Sequence, residues 1–240
     1  MPWWLALLVV ITVVLFFVYR RRQVPKIIHQ TAPADTSKWP KIWFRCQKSW
    51  RDNFPDYEYR MWTDEDIDNL VQTKYPRYYD MFKAYDKDIK RFDAARYFIL
   101  NEYGGVYADM DYECHKRFEL GPGVSMNQTP MVNQNVLQNA LMASPPKHPL
   151  WQRVFDALVQ NKDKDVSEAT GPLLVERFLK DVTVLPKDKF AVRGAEYATH
   201  HCTATWLLPR DEKEEHENDG DDETHDESRA ILVGTASTSG

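Results

Sequence analysis

Apolar and polar positions fall into periodic blocks along the chain, and the clearest runs from Arg91 to Asp111, RFDAARYFILNEYGGVYADMD. Ile89, Phe92, Ile99, Leu100 and Tyr103 recur at roughly helical spacing, which predicts a helix. Gly104 and Gly105 end it, because glycine tolerates the left-handed backbone that closes helices. Val106 to Asp111 then alternates with period two, with Val106, Ala108 and Met110 on one face and Tyr107, Asp109 and Asp111 on the other. The pattern predicts a strand that aims two carboxylates the same way, about 7 Å apart. Neighbouring anions repel unless a cation sits near them, and oxygen donors of this kind suit Mg2+ or Mn2+. Asp93 and Arg96, three residues apart, share a helix face and can pair. A lone D-x-D is usually a solvated strand end; the helix before it lifts this one above that reading.

The same periodicities set out the other elements. Val24 to Thr31 reads as a buried strand followed by a loop. Trp39 to Asn53, with Trp43, Phe44, Cys46 and Trp50, reads as a helix whose aromatics face the core. Tyr57 to Trp62 alternates like a strand. Thr63 caps a helix reaching about Thr73, with Asp66 three residues on, and Pro76 separates it from the next. Tyr75, Tyr78, Tyr79, Phe82 and Tyr85 form a packing stripe. Val136, Leu137, Ala140 and Leu141 are core of a helix or strand. His148 caps a helix from Leu150 to Gln160, Thr170-Gly171-Pro172 opens one from Leu173 to Lys180, and Val182 to Pro186 is a late strand. Strands alternating with helices predict an α/β domain with a mostly parallel central sheet.

Composition changes this picture at the two ends. The chain has 240 residues, 43% hydrophobic, enough for one domain with a real core. Trp3 to Tyr19 is apolar apart from Thr12, and as a helix it reaches about 25 Å, the short end of a bilayer crossing. That predicts an N-terminal transmembrane helix, with residues 1–22 as membrane anchor, of a length suited to thin membranes. No basic segment precedes it and Arg20-Arg21-Arg22 comes directly after it, unlike a cleaved signal peptide. Asp211 to Arg229 holds eleven acids against two bases, so residues 210–240 are expected to be a disordered acidic tail behind a domain at 23–209. The remainder is slightly basic, which suits an anionic ligand and is too little for nucleic acid as main partner. Cys46, Cys114 and Cys202 lack paired metal-type spacing and leave at least one free thiol. Asn127-Gln128-Thr129 is a glycosylation sequon, so a lumenal protein is expected to carry glycan at Asn127.

The spaced set R-x-D-x-x-R-Y-x-x-L-x-x-x-G-G-x-Y-x-D-x-D, ending at Asp111, resembles the glycosyltransferases with a DXD sugar-binding region. Within them it looks like glycosyltransferase family 32, which includes fungal inositol phosphorylceramide mannosyltransferases and yeast-type Golgi α-1,6-mannosyltransferases. P-K-I-I-H-Q-T at 25–31 and T-G-P at 170–172 resemble further blocks of that family. The resemblance implies a GT-A type nucleotide-sugar-binding fold and a metal-dependent retaining glycosyltransferase. It would use Mn2+ or Mg2+ and move mannose from GDP-mannose to inositol phosphorylceramide. By the same resemblance Asp109 contacts ribose or metal and Asp111 ligates the metal. Asp93 and Arg96 hold sugar hydroxyls, with Arg96 also near the diphosphate. These four are the catalytic candidates. His29, Gln30, Thr31, Trp62 and Tyr107 join Asp93, Arg96 and Asp109 as donor-binding candidates, and Asn139 is placed to touch sugar or acceptor. A late H-x-x-x-(small)-(small)-W block, starting at His200 or His201 and reaching Trp206, closes over metal and diphosphate; His201 is the expected third metal ligand.

The competing readings are an α-mannosyltransferase acting on N-glycan or mannan, a metal-dependent phosphatase using the same carboxylates, and a membrane-anchored lectin-like module. The implied partners are a nucleotide sugar, a lipid or glycan acceptor, the membrane and a family partner subunit, with no nucleic acid. The implied place is the Golgi or endoplasmic reticulum membrane, single-pass, with a lumenal catalytic domain. The positive-inside rule pulls the other way, because Arg20 to Arg22 would hold the domain behind them in the cytosol.

Overall fold

The computed structural model describes residues 3–4, 7–12, 23–130 and 136–203. Its strands are β1 (Ile27–Thr31), β2 (Glu58–Trp62), β3 (Gly105–Ala108), β4 (Tyr112–Cys114), β5 (Ser125–Gln128), β6 (Leu137–Ser144), β7 (Thr183–Leu185) and β8 (Ala198–His200). Six of them form a sheet ordered β2-β1-β3-β6-β5-β7, while β4 and β8 pair as a separate antiparallel ribbon. In the large sheet β1 runs parallel to β2 and β3, and β5 parallel to β7; β6 is antiparallel to both of its neighbours. The α/β class and the mostly parallel sheet are therefore as the periodicity predicts.

The helices are α1 (Lys41–Asn53), α2 (Asp64–Lys74), α3 (Pro76–Lys83), α4 (Asp88–Tyr103), α5 (Pro149–Asn161), α6 (Val166–Ala169), α7 (Pro172–Glu176) and α8 (Lys187–Phe190). Thr63 and Asp66 close a capping box on α2, and the His148 side chain accepts from the Leu150 N–H to cap α5. The expected helix from Leu173 to Lys180 is shorter: α7 stops at Glu176 and a 3-10 turn comes next at Leu179–Asp181.

Period-two alternation divides the core between the two faces of the sheet. Tyr107 and Met142 join the side chains of α2, α3, α4 and α5, whereas Val106, Ala108, Leu141 and Ala143 join Trp50 of α1 and Phe54 just after it. α4 is buried almost all round, because helices cover it on the side away from the sheet. Phe98 stacks on Phe155 at 4.7 Å and Tyr97 on Trp151 at 5.8 Å, so the aromatic stripe of α3 and α4 is core. Burying one such ring contributes about 2 kcal/mol.

The turn after α4 is where glycine is indispensable. Gly104 and Gly105 have φ of 65° and 94°. A Cβ on Gly105 would lie 2.6 Å from the Ile27 carbonyl oxygen, and one on Gly104 2.7 Å from the Pro146 ring. The close approach lets β3 dock beside β1 immediately after the helix ends.

Three expectations are corrected or bounded here. Asn127 is fully buried in β5; its Oδ1 accepts from the Leu141 N–H at 3.0 Å and its Nδ2 donates to the Gln128 carbonyl at 2.9 Å. It is an internal sheet residue and cannot present its amide for glycosylation. Of the expected membrane span, residues 7–12 are helical with exposed apolar side chains; residues 13–22, with Arg20 to Arg22, lie outside the described residues. Among the described residues no helix is long and apolar enough to cross a membrane. The acidic tail lies outside them as well. Cys46, Cys114 and Cys202 are free thiols.

Candidate active site

The site starts from an error in the period-two reading. β3 ends at Ala108, and Asp109 to Tyr112 is a tight turn closed by the Tyr112 N–H on the Asp109 carbonyl at 3.0 Å. Asp109 and Asp111 are thus set by a turn rather than by a continuing strand. Their side chains nevertheless converge, and β8 brings His200 to them: one ligand atom from each of Asp109, Asp111 and His200 lies within 4.8 Å of the others. The turn sits at the carboxyl end of β3, beside the end of β1 at Thr31, where open α/β sheets bind ligands.

Asp109 is fixed from the α4 side. Arg96 Nη1 lies 3.0 Å from Asp109 Oδ1 and donates to the Asn139 carbonyl at 2.8 Å, while Nη2 lies 3.0 Å from Asp93 Oδ1. The Tyr107 hydroxyl donates to Asp109 Oδ1 at 2.8 Å and meets Thr31 Oγ1 at 3.0 Å. The Arg96 guanidinium also lies over the Tyr107 ring, 4.9 Å from its centre. Asp93 Oδ1 accepts from Asn139 Nδ2 at 3.0 Å and its Oδ2 from the Thr170 hydroxyl at 3.2 Å. Burial pushes Asp93 up to about 6 although Arg96 pulls it back, and burial likewise raises Asp109.

Asp111 is fixed from the ribbon side. The Thr203 N–H and hydroxyl both donate to its Oδ2 at 2.9 Å, and His200 Nε2 lies 3.3 Å from its Oδ1. The other ring nitrogen of His200 faces Gln138 Oε1 at 3.3 Å, and the ring stacks on Tyr112 at 4.9 Å. Burial works to raise Asp111, but His200 and Thr203 hold it well below the usual carboxylate range. Burial works to discharge His200, and Asp111 overrides it and holds the ring well above the ordinary imidazole value.

The structure brings Asp93, Arg96, Tyr107, Asp109, Asp111 and Asn139 together and rearranges the rest. His200 takes the place expected for His201. Successive residues at a strand end point to opposite sides, so His201 turns away and meets Glu113 Oε2 at 2.8 Å. Asp93 is 5% exposed with both oxygens engaged internally, so it holds Arg96 rather than standing open to a sugar. His29 and Gln30 are also buried, because β1 is an interior strand, and Trp62 of β2 and Tyr107 of β3 are buried in the core under the helices. His29 donates from Nε2 to the Gly104 carbonyl at 2.8 Å and accepts from Trp62 Nε1 at 3.1 Å, which leaves no ring nitrogen for a ligand. Gln30 accepts from the Tyr59 hydroxyl at 2.6 Å and donates to the Asp109 carbonyl at 3.1 Å. Of the β1 candidates, Thr31 alone is not buried. Thr203 and Gln138 were not anticipated, since each acts through a contact that is distant in sequence. Trp206 lies outside the described residues.

The chain is similar to known proteins. Residues 40–135 match the family described as glycosyltransferase sugar-binding region containing DXD motif. The chain is similar to the mannosyl phosphorylinositol ceramide synthase CSH1 of Saccharomyces cerevisiae, 36% identical over 63% of this chain and 41% of that protein. It is also similar to the inositol phosphoceramide mannosyltransferase 1 of Schizosaccharomyces pombe, 32% identical over 77% of this chain and 62% of that protein. The chain thus spans about half the length of the curated relatives it matches. Among solved structures, the galactosyltransferase LgtC aligns at 12% identity with a TM-score of 0.48, over 80% of this chain and 95% of that one.

Proposed function

We propose that the protein is a metal-dependent, retaining mannosyltransferase of GT-A type that moves mannose from GDP-mannose to inositol phosphorylceramide. The observation that carries this is the convergence of Asp109, Asp111 and His200 beside the buried Arg96. The names of the relatives support the sugar and the acceptor. N-glycan or mannan is the second acceptor class, and the Golgi membrane with a lumenal domain is the corresponding location.

Two carboxylates and an imidazole fit a divalent ion of the Mn2+ or Mg2+ kind, so Asp109, Asp111 and His200 are the residues to hold it. When bound, such an ion supplies positive charge to the departing diphosphate. The chain's own residues do the rest. Thr203 occupies one oxygen of Asp111 and so aims the other at the site. Gln138 takes the far nitrogen of His200, which fixes the ring and leaves Nε2 facing inward. Arg96 keeps a permanent charge next to Asp109, and Asp93, itself held by Asn139 and Thr170, positions Arg96 directly. Thr31 at the end of β1 is the open donor-contact residue.

The test is incubation of the purified chain with a panel of nucleotide sugars, with Mn2+ or with EDTA. The expected result is release of GDP from GDP-mannose, abolished by EDTA, and labelled mannose on inositol phosphorylceramide in detergent. Release of inorganic phosphate would make it a phosphatase, and binding without release would make it a lectin-like module. Because Asn127 is internal, topology is to be read by protease protection of sealed vesicles.

A further inference from the structure

A second group of metal-type donors lies behind the first and takes no part in it. Cys46 comes from α1, Glu113 from β4 and His201 from the residue after β8. One ligand atom from each lies within 4.8 Å of the others. His201 Nε2 is 2.8 Å from Glu113 Oε2. Cys46 is fully buried, while the Glu113 and His201 side chains are 19% and 26% exposed, so the trio has a closed floor and an open mouth. Arg45 Nη2 lies 3.3 Å from Glu113 at that mouth, but its side chain is 60% exposed and can swing into solvent without losing a packed position.

From this geometry we infer that Cys46, Glu113 and His201 form a site for a thiophilic divalent cation of the zinc type, separate from the Asp109–Asp111–His200 set. The donor chemistry sorts the two. A thiolate, an imidazole and a carboxylate together select a borderline-soft ion such as Zn2+, whereas two carboxylates and an imidazole accept Mn2+ or Mg2+. Three protein donors suffice to hold such an ion, with water completing the tetrahedron at the open mouth. Burial pushes the Cys46 thiol up to about 12, with Glu113 and Asp111 adding to it, so without a cation it is a neutral thiol rather than a reactive nucleophile.

Position gives the site its purpose. His201 donates its backbone N–H to the Asp111 carbonyl at 3.0 Å, and Thr203, two residues on, clasps the Asp111 side chain. A cation shared by Cys46, Glu113 and His201 would tie α1 to both strands of the ribbon. It would thereby anchor the segment from which His200 and Thr203 reach Asp111. The ion would be structural, steadying one wall of the neighbouring site.

The test uses the full chain stripped with EDTA and titrated with Co2+, read by absorption. A thiolate bound to Co2+ gives an intense near-ultraviolet charge-transfer band, and the D-x-D set contains no thiol, so the band reports this site alone. The expected result is a band that saturates at one equivalent, is displaced by Zn2+, disappears in Cys46→Ser, and persists in Asp111→Asn, Cys114→Ser and Cys202→Ser. His201→Gln, a change at a part-exposed position, should weaken cobalt binding roughly tenfold or more while leaving the melting temperature of the stripped protein unchanged. The stripped protein should also gain melting temperature with Zn2+ in Asp111→Asn but not in the double variant Asp111→Asn with Cys46→Ser, because only a ligand of the native state stabilises it. No band in the wild type, a band that survives Cys46→Ser, or one lost in Cys202→Ser instead would overturn the assignment. These readouts need no turnover, so they stand or fall apart from the mannosyltransferase reading.

Discussion

Asp109 and Asp111 are two residues apart, yet they belong to different parts of the molecule. Asp109 is seated on the large sheet and α4, where Arg96, Tyr107 and the Asp93–Asn139–Thr170 network hold it from within the core. Asp111 is seated on the small β4–β8 ribbon, clasped by Thr203 and His200. Their electrostatics reflect their seats: burial raises Asp109, while its partners hold Asp111 low. The D-x-D is therefore a joint between a deep frame and a light clasp. A shared motif does not give its two acids the same environment, and each half can be broken separately.

The largest effect is expected at the clasp. Asp111→Asn should lower metal-dependent turnover on the order of a thousandfold or more, because the charge that binds a hard cation is gone while the size of the side chain stays. Melting curves should remain near those of the wild type. A well-folded variant with near-normal activity would remove Asp111 from the chemistry.

The next effect tests the frame. Burial holds His29 neutral and lowers it to about 4 from its ordinary 6.5. The unfolded chain takes up that proton first as pH falls, so stability should be complete above 6.5 and drain away toward 4, by about 3 kcal/mol at most. His29→Gln should flatten that limb of the stability-versus-pH curve. Parallel curves for the two proteins would show that His29 does not charge on unfolding.

Arg96→Lys should cost on the order of tenfold to a hundredfold in rate, since lysine cannot span Asp93, Asp109 and the Asn139 carbonyl at once. If steady-state kinetics show no loss, the fork geometry does not matter. The smallest effect is expected for Gln138→Ala, about tenfold in apparent metal affinity with the saturated rate nearly kept, because it frees the His200 ring without removing it. A loss of maximal rate without a shift in the metal titration would contradict that role.

Legibility in the sequence divides along the same line. The frame was readable because its rules are local: helical spacing placed Asp93 and Arg96 on one face, Thr63 and His148 announced their caps, and the glycine pair announced its turn. The clasp was not, because it is made of long-range contacts. Period-two counting ran straight through Asp109 to Asp111, since nothing in V-Y-A-D-M-D marks the turn. His200 and His201 are identical in type, and only the pairing of β8 with β4 decides which one faces Asp111. His29 looked like a ligand by its family block, and the interior position of β1 made it a core hydrogen-bonding residue instead. The sequon at Asn127 failed for the same reason, as strand membership overrides a three-residue motif.

β6 has a consequence for how the chain becomes active. Its successive residues Gln138 and Asn139 point to opposite faces, one reaching His200 of the clasp and the other Asp93 of the frame. A slip of β6 by a single residue against β3 would exchange those faces and disconnect both halves together. Activity should then arise all at once on refolding, when β6 locks into register, and a misregistered chain should be silent rather than slow.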